Sequence, residues 1–110
     1  MEIKRGNIVY VNLDPVVGSE QAKTRPAVVI QHNALNVNSK TTIIVPITSR
    51  IYDIEYPMHV RVNEKGFRGT IKVEQIRVID KSRIVRVKDF VSSKIMKKIG
   101  ISLQMTCGYY

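Results

Sequence analysis

Lys23-Thr24-Arg25-Pro26-Ala27-Val28-Val29-Ile30 decides how this chain is read. Four consecutive apolar residues follow a cation and a proline, and the segment from Pro26 to Gln31 reads as a continuous strand buried on both faces. Pro26 fixes its own φ and biases Arg25 toward extended backbone. A guanidinium therefore stands at the mouth of a buried strand. Downstream, a second apolar run, Ile43-Ile44-Val45-Pro46-Ile47, ends in Thr48-Ser49-Arg50. Two strand ends, one with a guanidinium and one with a hydroxyl, have the makings of a small phosphate site.

Strand patterns surround this pair. Residues 7–13 are β-rich, with Val9, Val11 and Leu13 on one face, and Asp14-Pro15 breaks them. Val16 to Arg25 reads as a loop containing Gly18. Asn33-Ala34-Leu35-Asn36 predicts a single helical turn, and Thr41 to Thr48 a third strand. Ser49 to Pro57 is polar and irregular, a second long loop. Residues 58–62 alternate cleanly, and residues 63–66 turn. Thr70 to Ile79 alternates Ile71, Val73 and Gln75 against Lys72, Glu74 and Ile76, which predicts one strand with Gln75 directed inward. Asp80-Lys81-Ser82 is a tight turn before a strand from Arg83 to Val87. Ser92 is a fitting N-cap, and Ile95, Ile99 and Leu103 then share one face of a helix. Gly100 weakens that helix and Gly108 ends it. The sum is a mainly β fold: a small, partly open antiparallel β-barrel closed by a C-terminal helix.

The 110 residues are expected to form one domain, 1–110. Hydrophobic residues make up 44% and charged residues 25%, a globular rather than disordered composition. No apolar stretch is long enough to span a bilayer and no signal-peptide pattern is seen, and the lone Cys107 has no internal disulfide partner; these point to the cytoplasm. The net charge of +9 is uneven. Residues 1–55 carry six Lys/Arg against five Asp/Glu, whereas residues 56–110 carry twelve against four. Such a surface attracts polyanions, nucleic acid or an acidic protein.

The chemistry follows by residue type. His32, His59 and Cys107 are scattered without ligand spacing, so neither a metal nor any other cofactor is expected. No nucleophile elbow and no phosphate-cradling glycine loop is present. Both histidines read as packing or solvated residues. Arg25 offers a planar fork of donors that grips two phosphate oxygens, and Thr48 a further hydrogen bond. The plain alternative is a surface cation paired with Glu20 and an ordinary β-branched strand residue.

Further blocks bring a resemblance. Arg5-Gly6, the run from Asn12 to Glu20, Lys23 to Ile30, Pro46-Ile47-Thr48-Ser49, and Glu74 to Arg83 match, in order and spacing, the MazF/PemK toxins. The chain resembles that family over roughly residues 4 to 104. The resemblance implies homodimers of SH3-like barrels acting as sequence-specific, metal-independent endoribonucleases, the mRNA interferases of toxin–antitoxin pairs. It implies cleavage of single-stranded RNA to 2′,3′-cyclic phosphate and 5′-hydroxyl ends. It also implies a MazE-like cognate antitoxin with an acidic C-terminal segment laid across the same groove. Matched by motif, Arg25 and Thr48 form the catalytic pair. Glu20 is the candidate base, because arginine is too weak a base for the task. Asp14, Val17, Gly18, Ser19, Gln21, Lys23 and Thr24 of the first loop would line the RNA groove, with Ser49 and Arg50 of the second. Gln75, Lys81 and Ser82 would flank it. Tyr52 to Tyr56, Gly100 and the tail from Cys107 to Tyr110 depart from the family average. A non-catalytic RNA- or protein-binding barrel and a gyrase-inhibiting toxin of the same fold are the rival readings.

Overall fold

A computed structural model of the chain describes residues 2–13 and 24–110. Among them lie seven strands: β1 (Asn7–Asn12), β2 (Thr24–Val29), β3 (Thr41–Thr48), β4 (His59–Glu64), β5 (Phe67–Lys72), β6 (Arg77–Asp80) and β7 (Ile84–Phe90). Two helices join them, α1 (Asn33–Asn36) and α2 (Ser93–Thr106). The strands form an antiparallel sheet in the order β4-β5-β3-β2-β1-β7, with β6 also on β3. Its two ends, β4 and β7, do not pair, so the barrel is open.

β3 organises the sheet. On one edge it pairs β2, with Ala27 opposite Pro46, Val28 opposite Val45 and Val29 opposite Ile44. On the other edge its first half pairs β6, ending with Ile44 opposite Arg77. Its last two residues pair β5, Ile47 opposite Ile71 and Thr48 opposite Thr70. Between the two ladders β3 advances three residues, from 44 to 47, while its neighbour spends six, from 71 to 77.

The excess is a 3-10 turn, Val73–Gln75. The single strand predicted over 70–79 is thus two strands with a bulge between them. Pro46 explains where the bulge falls. The Ile30 amide donates to the Ile43 carbonyl, so odd residues of β3 aim their backbone groups at β2. Even residues, Pro46 among them, aim theirs at the opposite edge. Proline has no N–H to give, and the neighbouring chain leaves the ladder there.

An apolar cluster covers each face. Ile8, Val28, Val45, Ile47 and Ile71 pack with Ile95 and Ile99 of α2. Val9, Val11, Ala27, Val29 and Ile44 pack with Ile79 and Ile84 on the other side, with Leu13 against them. The central strands are buried on both faces, as an unbroken apolar run requires.

The helix begins and ends as its sequence predicts. The Ser92 hydroxyl accepts from the Ile95 amide at 3.2 Å and itself donates to Glu64 Oε1 at 2.9 Å. Gly108, at φ 80°, donates to the Met105 carbonyl and Tyr109 to that of Gln104, a Schellman end. Gly100 is exposed, and nothing lies within 4 Å of where its Cβ would sit. Gly100→Ala should therefore stabilise the protein by about 1 kcal/mol. Thermal unfolding would register this as a rise in Tm of a few degrees.

Candidate functional site

The ladder between β2 and β3 stops at Ala27 opposite Pro46. Continued by two residues, the same register sets Arg25 across from Thr48. On its other side Arg25 lies opposite Val11 of β1. The first predicted pair is therefore brought together by strand register alone. A cleft of about 560 Å³ opens between these strand ends, walled by Arg25, Thr48, Ser49 and Gln75. Lys72 and Arg77 add two cations, and Pro46 and Ile47 are among its apolar residues. Thr24, also predicted, is exposed at the start of β2.

Thr48 is held closely. A Cβ on Gly69 would stand 1.9 Å from the Thr48 carbonyl oxygen, so only glycine lets β5 approach there. The Thr48 hydroxyl accepts from the Arg50 amide at 3.3 Å, which leaves its own proton to donate into the cleft. The Thr70 hydroxyl in turn donates to the Arg50 carbonyl at 2.8 Å.

Gln75 is not inward. It is exposed on the 3-10 turn, because the three extra residues break the period-two phase that aligned it with Ile71. The bulge carries its amide to the cleft instead.

Sequence reasoning missed Lys72 as a site residue, and Arg77 entered only within a matching block. The one sequence signal for them was the basic excess of residues 56–110.

The second loop leans on His59. Tyr52 and Tyr56 set their rings 4.8 and 4.9 Å from the imidazole. His59 Nε2 meets Glu74 Oε2 at 2.9 Å, beside Gln75. His59 is thus a packing residue, as read from sequence. His32 is exposed, and its Nδ1 accepts from the Ala34 amide to cap α1.

One predicted group is not gathered here. The Asp80–Ser82 turn sits beside Thr41, at the end of β3 opposite Thr48. The separation is about 23 Å at the usual rise of a strand. Lys81 Nζ donates to the Asn36 carbonyl, and the Ser82 amide to Asp80 at 2.8 Å. The structure therefore does not bring Lys81 and Ser82 to the cleft as the resemblance implied. Glu20, Asp14, Val17, Gly18, Ser19, Gln21 and Lys23 lie outside the described residues. Among the described residues no three His, Cys, Asp or Glu side chains cluster as a metal site, and no helix is long and apolar enough to cross a membrane.

Fold and cleft together describe a small open barrel with a basic cleft at its strand ends, and comparison with known proteins is specific. Residues 4–106 match the family of PemK-like, MazF-like toxins of type II toxin–antitoxin systems. A curated relative, endoribonuclease EndoA of Bacillus subtilis (strain 168), is 39% identical over 110 residues, covering 96% of this chain and 95% of its own. A chain of the MazE-MazF crystal structure from Deinococcus radiodurans superposes with a TM-score of 0.85 at 25% identity, over 100% of this chain and 99% of that one. A mycobacterial endoribonuclease in complex with its cognate antitoxin gives 0.81 at 19% identity, over 98% and 97%. The chain belongs to the PemK-like, MazF-like toxin family.

Two measurements test these local contacts. Gly69→Ala should destabilise the protein by about 1–3 kcal/mol, since the obstacle is backbone, seen as a lower denaturant midpoint. The Ser82 hydroxyl, and then its amide, hold the Asp80 carboxyl below its ordinary value of 3.8. A depressed carboxylate stabilises the fold above that value and loses its contribution as pH falls through the folded-state value. The stability gap between the protein and Asp80→Ala should therefore be flat near neutrality and narrow only in strong acid.

Proposed function

We propose that this toxin is an endoribonuclease that cuts single-stranded RNA without a metal, at the cleft of Arg25 and Thr48. The observation that carries the reading is the convergence of Arg25, Thr48 and Gln75 on one cleft with Lys72 and Arg77. The name of the Bacillus relative agrees with it.

The nucleophile is the RNA's own 2′-hydroxyl, already beside the adjacent phosphorus, so proximity supplies much of the rate. A bond forms from the 2′-oxygen to phosphorus and the bond from phosphorus to the 5′-oxygen breaks. The 2′-proton goes to a base, the 5′-oxygen receives a proton, and the products are a 2′,3′-cyclic phosphate and a 5′-hydroxyl. Arg25 spans two non-bridging oxygens as charge builds on them, and Thr48 donates to one. Arginine stays protonated and is a poor base, which leaves Glu20 as the candidate for the first proton. Ser49, Arg50 and Gln75 bind the strand on either side of the scissile phosphate. DNA lacks the 2′-hydroxyl and survives.

A cognate antitoxin is the expected partner, because solved relatives include a MazE-MazF complex and an endoribonuclease with its antitoxin. An acidic segment suits a chain of net charge +9. A homodimer in the cytoplasm completes the reading by family likeness.

Incubation with a long RNA in EDTA tests it. Discrete fragments ending in 2′,3′-cyclic phosphate are expected, and intact RNA contradicts the nuclease. Arg25→Lys should lower kcat about a hundredfold or more, by loss of the two-pronged clamp. Near-full activity in that variant would refute the clamp. Wild-type behaviour of Glu20→Gln in single-turnover cleavage across pH would remove Glu20 as the base.

A further inference from the structure

The segment from Tyr52 to Tyr56 belongs to the second loop, and Tyr52 links that loop to the residues beside the cleft. The Arg50 guanidinium lies over the Tyr52 ring, 4.6 Å from its centroid. Lys72 Nζ lies 5.8 Å from the same ring. The ring also meets the His59 imidazole at 4.8 Å. Arg61 donates to the Tyr52 carbonyl at 2.9 Å, fixing the backbone beneath it. Lys72 lines the cleft and Arg50 follows Ser49 out of it. A single half-buried ring thus lies under two cations, Lys72 in the cleft lining and Arg50 next to the lining residue Ser49, while its backbone is tied to β4.

We propose that Tyr52 is a positioning residue that holds Arg50 and Lys72 on the cleft rim, so that they bind RNA phosphates flanking the scissile one. The proposal rests on the ribonuclease reading. Its physical basis is the negative face of an aromatic ring, which attracts cations and favours Arg and Lys geometries that stack over it. Without the ring, two long side chains regain their rotamer freedom, and each must be ordered again when RNA binds. His59 holds the ring from behind, and Glu74 holds His59. Tyr52 itself need not touch RNA. It acts on binding of the flanking strand, and the bond-making at Arg25 and Thr48 is untouched.

The experiment uses the full chain and steady-state cleavage of one RNA across a range of salt concentrations. Tyr52→Phe keeps the ring and should match the parent. Tyr52→Leu keeps apolar bulk for the loop but lacks the quadrupole. It should raise KM about fivefold with kcat near the parent value, the scale of two exposed cation–π interactions.

The slope of log KM against log salt should shrink by about 0.7 for each phosphate that is no longer neutralised. Arg50→Gln should cost much less in the Tyr52→Leu background than in the parent, because the two changes remove one shared interaction. Equal behaviour of Leu and Phe variants, or strictly additive effects with Arg50→Gln, would overturn the proposal. A fall in kcat alone would overturn it too, since it would place Tyr52 in the chemistry. Failure of the ribonuclease reading is distinguished, because then the parent protein itself cuts no RNA.

Discussion

A missing N–H on Pro46 governs the geometry of the cleft. Pro46 lies within an eight-residue strand whose even positions face β5 and β6. Without a donor at that point, the neighbouring chain cannot continue its ladder and inserts the turn Val73–Gln75. The bulge moves Gln75 from an expected inward position to the cleft rim and places Lys72 and Arg77 at its two ends. The β2–β3 register, continued past its last recorded pair, sets Arg25 and Thr48 in the same cleft. One proline and one ladder offset thus assemble the chemical groups, and Gly69 lets β5 close against Thr48.

Much of this is legible in residue order. Asn33–Asn36 and Thr41–Thr48 stand where the pattern sets them. Ser92 and Gly108 cap the helix as their chemistry dictates, because capping is decided by the residues next to the helix end. The buried strand before Gln31 reads correctly because a run apolar on both faces has few other uses.

What stays hidden depends on pairing between distant segments. Pro46 is in plain view, but which edge it faces, and which strand lies there, are properties of the sheet. The alternation of residues 70–79 is genuine on either side of the bulge, so periodicity alone joins the halves. Motif proximity to Gln75 assigns Lys81 and Ser82 to the cleft, yet β6 carries them toward Thr41. Lys72 draws no notice in the sequence, because a cation on an exposed strand face is ordinary until the neighbouring strand ends show what it overlooks.

RNA is proposed to engage the end of β3 that bears Thr48. Backbone-amide NMR of the protein with an uncleavable oligonucleotide, 2′-O-methylated throughout, measures this directly. Shifts should concentrate at Arg25, Thr48, Lys72 and Gln75, with Lys81 and Ser82 quiet. Shifts centred on the Asp80–Arg83 turn with a silent cleft would contradict it.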